Sequence, residues 1–372
     1  MKVLYILDSL NRGGAETLIL DICRNGRRCG LDASVVATGG GELEDEFRSS
    51  GIPFHQILRR SALDRELIRN LRELIRSGSF DVIHAQQPVE AIHGLLALRG
   101  VAAAPKLILS HHIAAKSNLK NRLTTRYLVP RVAINLAVSQ HVLDWALRTM
   151  PFAHKAKWKV VANGVDLARL QPSARGAGIR TELAISETAP LLGMVGNFYS
   201  GDRKDQLTVC RALSQVFAAQ PAAQFLFVGD TGSDGGRMYN ECLALCNDSG
   251  IAERVHFTGK RSDVADVLQA LDVFVFSSRA EGMPVAVIEA MAAGLPTVLS
   301  DIEPLREVTD GGRVARLFRT GDPSDLAEKI LELLSDPKES ELLGQAAHEW
   351  AVQEYSIDAH IRRLYDVYAG LI

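Results

Sequence analysis

The chain reads as an α/β protein built from two Rossmann-like βαβ halves. Three observations lead to that reading. Apolar, β-branched runs alternate with helical patterns, the signature of parallel sheets with crossover helices. The alternation breaks off at a turn-rich stretch near residue 163 and then restarts. At 372 residues the chain also exceeds what one core ordinarily organises, so two domains are expected.

In the first half the strand candidates are 3–7, 33–38, 82–84, 107–110 and 134–138; in the second they are 191–195, 225–228, 255–257, 273–276 and 296–299. Between them, Asn163-Gly164-Val165-Asp166 is a turn signal, and the run 171–178 has the composition of a loop. The expected domains are therefore residues 1–165 and 166–354. In the last segment, Ile357, Ile361, Leu364, Tyr365, Tyr368 and Leu371 recur at helical spacing, and that stripe needs a surface to cover. From the residues alone this helix finishes either domain. Sheets of this kind bind ligands outside the carboxyl ends of their strands, which makes the cleft between the halves the default active site.

Composition narrows the class. Apolar residues make up 47% and charged residues 23%, ordinary for a globular protein, and no apolar run reaches transmembrane length. Residues 1–8 run straight into a strand without a signal-peptide pattern, so a cytoplasmic location is expected. Five cysteines without CxxC or Cys/His spacing point to reduced, structural thiols. Net charge is −2, but residues 1–165 hold 23 Lys/Arg against 14 Asp/Glu, giving +9 and leaving −11 for the rest. Arg59, Arg60, Arg65, Arg69, Arg72 and Arg76 form one basic group, and Lys116, Lys120, Arg122, Arg126 and Arg131 another. A solvated face accounts for such groups. So does attraction to anionic lipid at the inner membrane surface or to a phosphorylated acceptor. Nucleic acid is not expected as a partner, because aromatics are 6% and no nucleic-acid-binding signature occurs.

The most informative stretch is 278–296, which contains Glu281-Gly282-Met283-Pro284, then Glu289, then Ala293-Gly294-Leu295-Pro296. It follows an apolar run, 271–277. Pro284 suits a helix first turn and Gly294 suits a left-handed cap, so a helix is predicted from about Met283 to Gly294. Backbone amides of Gly282, Met283, Val285 and Ala286 then surround a helix start, where unpaired donors and partial positive charge favour a diphosphate. An arbitrary pair of glutamates eight apart would be surface residues.

With these flanks, the pair resembles the E-x7-E signature of the retaining GT-B glycosyltransferases, in particular glycosyltransferase family 4. The resemblance implies two Rossmann-like domains facing across a deep cleft, with Glu281 meeting hydroxyls of the donor sugar and Glu289 the ribose. It also implies that the C-terminal helix, about 355–372, returns to the first domain. Further motifs follow in the family's order. Asn11-Arg12-Gly13-Gly14-Ala15-Glu16 lacks the dinucleotide spacing and is similar to the family's G-G-A-E loop, which places Gly13 and Gly14 by the donor phosphates and acceptor. Of His111 and His112, which must face opposite ways at a strand end, His112 takes the place of the family histidine that contacts the donor sugar. After Gly196, Asn197 stands where the family has arginine. Lys204, with Arg203 as a substitute, is thus left to meet the diphosphate. Arg261, in the loop 258–261, would lie near the base.

No Asp-x-Asp stands at a predicted strand end, so no metal and no other cofactor are expected. The resemblance implies a hexosyltransferase that moves a sugar from a UDP- or GDP-sugar to a saccharide or polyprenyl-linked saccharide in cell-surface polysaccharide biosynthesis, retaining anomeric configuration. The acidic half would bind the nucleotide sugar. The basic half would take the acceptor and meet the membrane peripherally. Two rivals share the architecture: a sugar-nucleotide 2-epimerase, which needs no acceptor, and a non-catalytic nucleotide-sugar-binding subunit. The sugar, the base and the acceptor are read by loop geometry, not by a linear code.

Overall fold

A strand buried on both faces belongs in the middle of a sheet, flanked by paired neighbours. Val3, Leu4, Tyr5 and Ile6 have no exposed surface, and their strand β1 (Lys2–Leu7) is central in a seven-stranded sheet. The computed structural model describes residues 1–114, 119–150, 152–170, 176–198, 203–232 and 236–372. Lys116, the side chain of Lys120, residues 199–202 and residues 171–175 lie outside the described residues.

In the first sheet, β1 is followed by β2 (Asp32–Ala37), β3 (Phe54–Gln56), β4 (Val82–Ala85), β5 (Lys106–His111), β6 (Ile134–Ala137) and β7 (Trp158–Val160). Its order is β3-β2-β1-β4-β5-β6-β7, with every pair parallel. The second sheet comprises β8 (Leu191–Val195), β9 (Gln224–Val228), β10 (Val255–Phe257), β11 (Val273–Phe276), β12 (Thr297–Ser300) and β13 (Arg316–Phe318). Its order is β10-β9-β8-β11-β12-β13, again parallel throughout. In each sheet the winding reverses once, between β1 and β4 and between β8 and β11. Loops leaving such a switch point diverge and open a crevice at the strands' carboxyl ends.

The chain forms two compact units, Met1–Val165 with Tyr355–Ile372, and Asp166–Glu354. Ser356 caps the last helix, Ile357–Ala369, accepting from the amide of Ala359. Ile357, Ile361, Leu364 and Tyr368 are buried in one core with β1 and the helix Gly14–Asn25. Tyr365, in the same predicted stripe, is 36% exposed instead. Val165 and Ile357 exchange backbone hydrogen bonds with the segment opposite, Val165 N–H to Tyr355 O and Ile357 N–H to Val165 O, both at 2.8 Å. Gly164 permits that approach, since a Cβ there would stand 2.6 Å from His360 Cβ. Among the described residues no helix is long and apolar enough to cross a membrane.

The helix of the glutamate motif runs Val285–Ala292, two residues later than the predicted start at Met283. The reason is Pro284, whose ring disfavours helical geometry in the residue before it. Pro284 is the N-cap, extended at ψ 115°, and its carbonyl accepts from Ile288. At the other end Gly294, at φ 79°, completes a Schellman motif. Its N–H donates to Met291 O, and Leu295 N–H donates to Ala290 O. A Cβ at Gly294 meets open space, whereas one at Gly344 would stand 2.3 Å from the Gly294 carbonyl oxygen. Gly294→Ala should therefore cost about 1 kcal/mol, from backbone strain alone. Gly344→Ala should cost more, because backbone must move; urea unfolding of the two variants checks this order.

Candidate active site

Lys204 and Glu281 are 77 residues apart, yet Lys204 Nζ lies 2.7 Å from Glu281 Oε1. Strand pairing explains the meeting. Because β8 and β11 are neighbours, in register at Leu192 and Val273, the loops that leave their carboxyl ends start side by side. Residues 203–205 and 277–279 then form a short antiparallel ribbon. Arg279 N–H donates to Arg203 O at 2.7 Å, Asp205 N–H donates to Ser277 O at 3.0 Å, and Lys204 bridges Ser278. The ribbon is pinned at both ends. Asp205 caps the helix Gln206–Ala219, bonding Thr208, and takes a salt bridge from Arg279 at 3.1 Å; Ser278 N–H donates to Ser300 Oγ.

The pair itself is largely withdrawn from water, with side chains 13% and 9% exposed. Ser278 Oγ is 2.7 Å from Glu281 Oε1 and 2.6 Å from Arg203 O, and its single proton goes to one of these acceptors at a time. Burial pulls the Lys204 ammonium below the ordinary lysine range, while Glu281 draws it back up. Phe276 lies under the ammonium, 4.0 Å from Nζ to the ring centroid. One of the three ammonium N–H bonds goes to Glu281, which leaves others for an oxyanion.

Next to this pair, the loop through Gly282 and Met283 leads into the helix at Val285. The first-turn amides of Val285 and Ala286 precede the first intrahelical bond and carry the positive end of the helix dipole. Further along, Glu289 is 7% exposed and its Oε1 lies 2.6 Å from Arg169 Nη2. Arg169 belongs to the short helical turn Leu167–Leu170, 120 residues earlier, and nothing in its local sequence marks it.

The other basic candidates are placed differently. The Arg203 carbonyl is part of the ribbon. Arg261 forms bidentate pairs with Asp263 and Glu182, at 2.7 to 2.9 Å, which push its guanidinium further up and take four of its five N–H donors inside the second unit. Asn197, in the arginine's place, accepts from Asp230 N–H at 2.9 Å and so ties the loop after β8 to the loop after β9. Gly229 permits this contact, because a Cβ there would be 2.3 Å from Gly196 O.

In the first unit, alternation along parallel strands builds a ladder of polar side chains on one face of the sheet. Tyr5 on β1 is in register with His84 on β4. Tyr368, from the last helix, joins them: its hydroxyl is 3.2 Å from that of Tyr5 and 2.7 Å from His84 Nδ1. His84 Nε2 reaches Ser110 Oγ on β5 at 2.8 Å. One residue past the end of each strand, two beyond His84 and Ser110, the next rung forms, His112 Nε2 to Gln86 Oε1 at 3.0 Å. His111 turns the other way, against Asn135 Oδ1 at 3.0 Å and the Trp158 ring at 4.6 Å. Burial pulls the imidazoles down, His84 to about 3 and His111, His112 and His360 to about 4, so all four are neutral near pH 7.

Gly13 and Gly14 stand at the start of the helix Gly14–Asn25, Gly13 as its extended N-cap. A Cβ on Gly13 would be 2.6 Å from Glu16 Oε2, so glycine lets that carboxylate fold back over the turn. Burial raises Glu16, with Asp8 nearby, and raises Glu90 well above the usual carboxylate range for the same two reasons. Sequence reading missed His84, Gln86, Glu90 and Arg169. For the first two the available signal was parity, since His84 and Gln86 alternate on one strand as Ser110 and His112 do on the next.

Two family models match the chain in tandem. The Glycosyltransferase Family 4 model covers residues 12–169, and the Glycosyl transferases group 1 model covers residues 189–336. The protein belongs to this family of GT-B glycosyltransferases. Phosphatidyl-myo-inositol mannosyltransferase of Mycobacterium tuberculosis is 26% identical over 96% of this chain and 94% of its own. UDP-Gal:alpha-D-GlcNAc-diphosphoundecaprenol alpha-1,3-galactosyltransferase of Escherichia coli is 23% identical over 89% of this chain and 86% of its own. Among solved structures, Anabaena HepE in complex with UDP and glucose superposes with a TM-score of 0.87 at 21% identity, covering both chains fully. This chain shares the two-sheet GT-B fold with that structure.

Removing one member of a buried ion pair strands the other, and removing both does not. Lys204→Met should therefore destabilise the protein by about 3 kcal/mol. Adding Glu281→Gln to it should recover part of that loss, and chemical denaturation of the single and double variants measures both.

Proposed function

We propose that the enzyme transfers a hexosyl group from a nucleoside-diphosphate sugar, UDP or GDP, to a saccharide or polyprenyl-linked saccharide, with retention of configuration and without a metal. One observation carries the reading: a buried Lys204–Glu281–Ser278 cluster lies beside a helix start whose amides point at no helical partner. A cation and dipolar N–H groups suit a diphosphate, and an adjacent carboxylate suits sugar hydroxyls.

In this reading the bond between the anomeric carbon and the diphosphate oxygen breaks, and the electron pair leaves on that oxygen. Lys204 and the Val285 and Ala286 amides stabilise this charge more in the transition state than in the ground state. The acceptor hydroxyl attacks the same face, and its proton passes to the leaving phosphate oxygen, so no protein nucleophile is required. Glu281 and neutral His112 engage hydroxyls of the transferred sugar. Glu289 takes the ribose, with Arg169 sharing its carboxylate. Gly13 and Gly14 let backbone come close to phosphate or acceptor, and Arg203 adds positive charge by the diphosphate.

Arg261 is assigned a structural place in this reading, because both of its partners are carboxylates of its own unit. The first unit, where basic residues prevail, takes the acceptor. Exposed Arg60, Leu58 and Leu63 offer an anionic membrane surface both charge and apolar contact, consistent with a cytoplasmic enzyme working at the inner face in polysaccharide assembly.

Titration calorimetry with UDP and GDP tests the donor assignment. One nucleotide should bind, Glu289→Ala should weaken it by about tenfold, and Lys204→Ala should lower turnover more than affinity. Unchanged binding and kinetics in both variants would remove these residues from the site. An epimer formed without acceptor would instead indicate the 2-epimerase.

A further inference from the structure

The rung formed by Gln86 and His112 is incomplete in a specific way. Gln86 Oε1 meets His112 Nε2 at 3.0 Å, but Gln86 Nε2 finds no partner among the described residues, although Gln86 is 4% exposed. Both side chains line a cavity of about 20 Å³, together with Ser110, His84, Asn163 and His360. That space takes one water-sized group. A buried amide N–H with nothing to bond is costly, so the cavity is built to receive an oxygen.

A carbonyl oxygen accepts and never donates, so the bond to Gln86 requires the proton of neutral His112 to sit on Nε2. Nδ1 is then a lone pair, able to accept from a hydroxyl. Neighbouring imidazoles show the alternative outcomes. His360 Nδ1 faces Ala162 O at 2.6 Å, which fixes the opposite tautomer, while both partners of His84 are hydroxyls and fix neither. At His111 the acceptor Asn135 Oδ1 is itself oriented, since Asn135 Nδ2 donates to Val129 O at 3.0 Å. Gln86 has no such second anchor among the described residues.

We infer that Gln86 is the positioning residue of the site: its carbonyl holds His112 as the Nε2–H tautomer, and its amide N–H donates to the oxygen, a sugar hydroxyl or a single water, that fills the cavity. This rests on the role given to His112 above. Gln86 does not touch the reacting atoms; it sets which nitrogen of His112 offers a lone pair to the donor sugar.

Nitrogen-15 NMR of the full-length protein, labelled at histidine and recorded without substrate, reads the tautomer directly, with His112 assigned from the spectrum of His112→Asn. The wild type should show the Nε2–H form. Gln86→Glu, which keeps an acceptor, should retain it, and Gln86→Leu should lose it. In kinetics Gln86→Leu should lower kcat by about tenfold with nucleotide affinity unchanged. A His112 protonated on Nδ1 in the wild type overturns the inference even if Gln86→Leu fails to fold. A Gln86→Leu variant that keeps both tautomer and kcat overturns it as well. Failure of the donor assignment is a separate result, seen as absent nucleotide binding by the wild type while the tautomer stands.

Discussion

The buried pair of Lys204 and Glu281 is the constraint on which the second unit's site depends. Neither charge would be tolerated alone at that burial, and each has its partner only because two loops leave adjacent strands at the point where the sheet's winding reverses. The ribbon of residues 203–205 against 277–279 converts that adjacency into a fixed geometry. It uses backbone hydrogen bonds, which tolerate many side chains, and leaves Ser278 to bind the carboxylate. A loop that met its neighbour through side chains alone would hold the ammonium less closely. The helix that follows is stopped by Gly294 and started late by Pro284, which leaves the amides of Val285 and Ala286 at its start without an intrahelical partner.

The first unit solves a different problem. Four imidazoles and two phenols sit close to one sheet, three of the imidazoles and both phenols on a single face; burial pulls the imidazoles down and pushes the phenols further up, so all are neutral near pH 7. A neutral imidazole is a donor at one nitrogen and an acceptor at the other, so what matters is which is which. Tyr368 and His360 bring the last helix into this arrangement, through His84 and through the Ala162 carbonyl. The helix that closes the chain thereby lies against the residues that support His112. Loss of that helix should be felt at the sheet's polar face as well as in its apolar core.

Ten of the thirteen strands among the described residues were legible in the sequence, because runs such as Val3 to Leu7 and Phe225 to Val228 are apolar on both faces. The other three, Phe54–Gln56, Trp158–Val160 and Arg316–Phe318, are three-residue edge strands. At that length no period of two can be established, and Val255–Phe257, just as short and also at an edge, is the exception. The glutamate motif was legible because glycine and proline punctuate it on both sides. What escaped was every contact made through topology. Arg169 reaches Glu289 across 120 residues, and Gln86 reaches His112 across 26. Arg261 is legible as a basic residue in a βα loop, but its pairing with Glu182 and Asp263 is not, since neither carboxylate is distinguished by local pattern.

A crystal structure with a bound nucleoside diphosphate tests the account most directly. Phosphate oxygens should lie within about 3 Å of Lys204 Nζ and of the Val285 and Ala286 amides, with the ribose on Glu289. A diphosphate seated away from that helix start, with the Lys204–Glu281 pair undisturbed, would contradict it.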